Sequence, residues 1–86
     1  MPEISRFYGI IIKMFYKDHN PPHFHAEYQE FEAIIDINTL QVVKGDLPKR
    51  ALILVIEWAL EHRIELMGNW EKAKIPDSLS NIKPLD

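Results

Sequence analysis

Cysteine is missing from all 86 residues, which removes a disulfide framework, a thiolate metal site and a cysteine nucleophile in one step. Its absence suits a reducing compartment, and the cytoplasm is the expected location. Long apolar runs are scarce as well. The longest, Ala51–Ile56 (ALILVI), is broken by Glu57, and the opening MPEISRF has no basic segment leading into an apolar one. Neither a membrane span nor a signal peptide is predicted. Positive charge is in short supply: ten Lys and Arg face thirteen Asp and Glu, for a formal charge of −3. Broad, sequence-independent nucleic-acid binding needs lysines and arginines to displace counterions along the phosphates, and this balance argues against it. A small RNA-cleaving site with local positive charge stays open. Glycine-rich phosphate loops, a nucleophile elbow, internal repeats and low-complexity segments are also lacking.

What is present is a composition that folds, 47% hydrophobic and 27% charged, at a length that holds one domain over residues 1–86. From Arg6 to Tyr16 (RFYGIIIKMFY) β-branched and aromatic residues dominate, and Tyr8, Ile10, Ile12, Met14 and Tyr16 alternate as one apolar face. This reads as a first strand. DHNPP breaks it, because proline donates no amide hydrogen bond and biases its predecessor toward extended geometry. HFHAEY, FEAIIDI and LQVVKG supply three more strands. From about Pro48 the period changes to that of a helix, with Leu52, Val55, Ile56, Ala59, Leu66, Met67 and Trp70 on a stripe. Asp46 stands at an N-cap position, Gly68 is where the helix weakens or ends, and Pro76 stops any continuation. The expected fold is α+β: a mostly antiparallel four-stranded sheet (strands within about 6–45) packed against one long C-terminal helix (about 48–74), with an extended arm over 75–86.

The chemistry-bearing stretch is Tyr16–Asp36, where three of four histidines fall within seven residues around a double proline. Strand alternation puts His23, His25 and Glu27 on one face and Phe24, Ala26 and Tyr28 on the other. A tight turn at Gln29-Glu30 would pair Tyr28 with Phe31, Glu27 with Glu32, His25 with Ile34 and His23 with Asp36. One face then presents His23, His25, Glu27, Glu32 and Asp36, with Asp18 and His19 on the loop at its end. Three uses fit such a face. His23, His25 and Glu27 could ligate a divalent metal. His23 and His25, with His19 as a third contributor and Asp36 or Glu27 as orienter, could act as acid and base in RNA cleavage by the 2′-hydroxyl. The face could also dock a partner protein without any chemistry. The plain alternative is an open sheet face that is merely hydrated. Elsewhere, Glu57, Glu61 and Glu65 form a helix stripe that is either solvated or a docking strip for a basic partner. Trp58 and Trp70 read as core or interface anchors, and Lys13, Lys17, Lys44, Lys49 and Arg50 as a modest basic patch.

The DHNPPHFHA core, the LPKRALILVIEWALEHRIELMGNW segment and the ending with Ile82, Pro84 and Leu85 together resemble the small bacterial family known as domain of unknown function 4160, over nearly the whole chain. The resemblance implies no established catalytic residues. It implies a second small protein encoded nearby, a cognate antitoxin in pairs proposed to be toxin–antitoxin modules. That favours a toxin-like component neutralised by its partner, and RNA is the substrate that the histidine face would suit. The other reading is a non-catalytic protein-binding or regulatory module, and a homodimer through an edge strand is the simpler form of association.

Overall fold

The computed structural model describes residues 3–75 and 79–86. Five antiparallel strands, β1 (Glu3–Phe7), β2 (Ile10–Lys13), β3 (His23–Tyr28), β4 (Phe31–Asp36) and β5 (Val42–Gly45), form a meander in chain order. Two helices follow, α1 (Lys49–Glu61) and α2 (Arg63–Lys72). The α+β class and the antiparallel sheet are as expected, but both counts differ by one.

The expected first strand is two. Tyr8 and Gly9 both take positive φ, 50° and 80°, which is the primed two-residue turn that matches the twist of a hairpin. Phe7 therefore pairs with Ile10, and apolar alternation runs through the turn without marking it. The expected single helix breaks at His62, whose φ of −119° leaves the helical region. Its N–H still reaches the Trp58 and Ala59 carbonyls. Gly68 lies inside α2 and is not the break. α1 starts behind Pro48 without a side-chain cap, so Asp46 does not serve as one, and Pro76 lies outside the described residues.

The β3–β4 register is the one alternation dictates, from Tyr28 opposite Phe31 to His23 opposite Asp36. Gln29 supports the turn with φ 54°. Phe24, Ala26, Ala33 and Ile35 thus face the core with Ile10, Ile12 and Met14, beneath Val55, Trp58 and Leu66. Trp58 centres this layer, its ring 5.4 Å from Phe7 and 5.9 Å from Phe24. The buried positions Ala51, Val55, Trp58 and Ala59 of α1 continue as Leu66, Asn69 and Trp70 of α2, so both halves keep one face on the sheet despite the break.

The C-terminal segment 79–86 carries no regular element but is tied down. Ile82 is buried and its N–H donates to the Ile4 carbonyl at 2.7 Å. Trp58 Nε1 donates to the Lys83 carbonyl at 2.9 Å. Asn69 closes a two-way bond with the Ser80 backbone, at 2.8 and 3.0 Å. Among the described residues no helix is long and apolar enough to cross a membrane.

Candidate functional site

The loop between β2 and β3 doubles back over the end of the sheet. Lys17, at φ 56°, donates its N–H to the Ala73 carbonyl at the end of α2, and Pro22 accepts from the Ile37 N–H. The Asn20–Pro21 peptide is cis. Held at both ends, this loop carries Asp18 onto the two imidazoles that β3 projects from its sheet face.

His23 is buried, with Trp70 against its ring at a centroid distance of 5.1 Å. Its Nδ1 donates to the Pro21 carbonyl at 2.7 Å, while Nε2 lies 2.9 Å from Asp18 Oδ2. A carbonyl oxygen can only accept, so the proton on Nδ1 is fixed by its partner. His25 is arranged in the same sense. Its Nδ1 faces Glu32 Oε2 at 3.3 Å and its Nε2 points at Asp18 Oδ2 from 3.6 Å, too far for a hydrogen bond. Phe15 packs edge to face against the His25 ring, with centroids 4.6 Å apart and planes at 82°. His25 Nε2 is buried without a hydrogen-bond partner among the described residues. The ligand atoms of Asp18, His23 and His25 all lie within 4.8 Å of one another.

Asp18 is the hub. Burial pushes its carboxyl upward, but the His19 N–H on Oδ1 at 2.8 Å and the imidazoles of His23 and His25 outweigh that and hold it below the ordinary carboxylate value. It is therefore an anion at neutral pH. Depressions open on either side of it: one of about 240 Å³ bordered by His19, His23, Ile34 and Lys44, and one of about 300 Å³ bordered by Lys17, Trp70 and Lys74.

Of the residues singled out by sequence, His23 and His25 come together and His19 stands exposed at the rim. Glu27 and Asp36 are engaged elsewhere. Glu27 pairs with the buried ammonium of Lys13 at 2.9 Å. Asp36 Oδ1 accepts the N–H groups of Asn38 and Thr39 at 2.7 and 3.0 Å, shaping the turn after β4. The carboxylates that touch the imidazoles are Asp18 and Glu32. Alternation placed Glu32 on this face opposite Glu27 without giving it a role, and its contact is with His25, its diagonal cross-strand neighbour. Asp18 had its place on the loop at the end of the face, an acid five residues before His23 with a proline pair between, but no assigned role. The basic patch is split: Lys13 is consumed by Glu27, Lys17 and Lys44 border the depressions, and Lys49 and Arg50 sit apart on α1.

Comparison with known families finds a match over residues 9–71 to the family described as Domain of unknown function (DUF4160). That span is most of the chain and includes Asp18, His23, His25 and Glu32; the chain belongs to this family. No curated protein and no solved structure matches it.

Proposed function

We propose that this DUF4160 chain is a small cytoplasmic ribonuclease of toxin type, that it cleaves RNA at the Asp18–His23–His25 cluster, and that a cognate small protein encoded nearby neutralises it. The observation that carries the reading is the convergence of three reactive side chains on one point. Each imidazole is oriented by a partner on its far nitrogen, an arrangement the core does not require. Groups held this way need little reorganisation during a reaction. Lys17 and Lys44 border the adjoining depressions and suit a phosphodiester. In the reaction, the 2′-hydroxyl loses its proton and attacks the adjacent phosphorus. The bond from phosphorus to the 5′-oxygen breaks, that oxygen takes up a proton, and a 2′,3′-cyclic phosphate and a 5′-hydroxyl result. The cluster can serve this by moving those protons or by holding an ion that does so.

A second reading, a non-catalytic binding module, draws on the apolar residues left exposed on the helices, Ile53, Leu60 and Ile64, and on the exposed Val42 and Val43 of edge strand β5. Growth after inducing the chain without its neighbour separates the two. Arrest by wild type and normal growth with a folded Asp18→Asn/His25→Ala variant, together with RNA ending in cyclic phosphate, supports the ribonuclease. Equal growth with both proteins, or equal arrest by both, counts for the module.

A further inference from the structure

We propose that Asp18 Oδ2, His23 Nε2 and His25 Nε2 form a binding site for one divalent transition-metal ion of the zinc class, with coordination positions left open on the side of the depression bordered by His23 and Lys44. The proposal deepens the ribonuclease reading at the same cluster, but its own chemistry stands on the donor atoms.

Hydrogen bonds within the cluster leave one atom out. Nδ1 of His23 is committed to the Pro21 carbonyl at 2.7 Å, and its Nε2 lies 2.9 Å from Asp18 Oδ2. That leaves His25 Nε2 buried and 3.6 Å from the same oxygen with nothing to bond, at the usual cost of an orphaned polar atom. A cation satisfies all three atoms together. Both imidazoles already show the arrangement a metal-ligating histidine takes, the far nitrogen donating to a carbonyl or carboxylate so that the near lone pair is free. Here those outer partners are Pro21 and Glu32.

The distances bracket those of a bound ion. Metal–nitrogen and metal–oxygen bonds of about 2.0–2.2 Å at tetrahedral angles separate neighbouring ligand atoms by about 3.3–3.6 Å. The two oxygen-to-nitrogen edges here are 2.9 and 3.6 Å, and all three atoms lie within 4.8 Å of one another. Two imidazoles and one carboxylate with vacant positions is a catalytic rather than a structural set, and its nitrogen and oxygen donors favour a transition metal over calcium or magnesium. Such an ion would bind a phosphate oxygen or hold a hydroxide that could take up the 2′-hydroxyl proton, supplying what the phosphodiester reaction needs.

The test is titration of the chelator-treated, folded chain with Zn²⁺ by calorimetry and with Co²⁺ by visible absorption. Expected are one equivalent bound and the intense bands of low-symmetry cobalt. Asp18→Asn and His25→Ala should each weaken binding by more than about 100-fold. Glu32→Gln, which touches only the outer side of His25, should weaken it by about 10–100-fold, and His62→Ala should leave it unchanged. His23 packs on Trp70, so its substitution is replaced by the direct cobalt spectrum of wild type. A folded wild type that binds neither ion, or Asp18→Asn and His25→Ala variants that bind as wild type does, overturns the site. The two readings part cleanly: metal bound without growth arrest keeps the site and sinks the toxin, whereas RNA cleaved in chelator by a chain that binds neither ion keeps the enzyme and sinks the site.

Discussion

At the scale of single residues, the chemistry rests on which carboxylate reaches which imidazole. Strand alternation was enough to place His23 and His25 on one face and to pair His23 with Asp36. It could not say that Asp36 spends its Oδ1 on two backbone N–H groups, since side-chain capping of a turn leaves no period in the sequence. Asp18 was placed on the loop at the end of that face but given no role, because a loop residue's reach depends on where the loop is fastened, here at Ala73 and Ile37. A prediction follows for Asp36→Ala. It should cost about 1–3 kcal/mol of stability from the lost turn bonds, seen as a lower urea midpoint, while Zn²⁺ affinity stays at the wild-type value. A fall in affinity at unchanged stability would assign Asp36 to the site after all.

Elements were legible where burial alternates and obscure where it does not change. The β3–β4 hairpin follows from its apolar set, since a one-residue slip would turn Phe24 and Ala26 away from the core. The Tyr8-Gly9 turn is masked by apolar residues on both sides, and the break at His62 by a stripe that resumes at Leu66. Gly45 shows what the end of an element can demand. Its φ is 77°, and a Cβ there would collide with the Glu32 carbonyl, which is backbone and cannot step aside. Gly45→Ala should therefore cost about 1–3 kcal/mol or more. Because Glu32 also faces His25, the loss should be accompanied by weaker Zn²⁺ binding; thermal melts and calorimetry on the same sample check both.

For the molecule as a whole, the sheet is a succession of neighbouring hairpins, and the segment 79–86 is what joins the last part of the chain to the first. Ile82 meets Ile4, Lys83 caps the Trp58 indole, and Ser80 satisfies Asn69. Sequence pattern showed only an extended arm, since side-chain and backbone bonds to distant partners have no periodic signature. Ile82→Ala should cost about 2–4 kcal/mol through lost burial and a residual cavity. The wiring also orders events in time. Hairpins between adjacent strands close small loops and form within microseconds, whereas the Ile4–Ile82 bond must wait for ends separated by nearly the full chain. Contacts made after the barrier is crossed govern escape rather than arrival. Stopped-flow chevrons should then show Ile82→Ala unfolding faster with its refolding arm nearly superimposed on wild type, and a slowed refolding arm would move the segment into the nucleus. The strap over β1 is in this sense the latch that sets the lifetime of the native state.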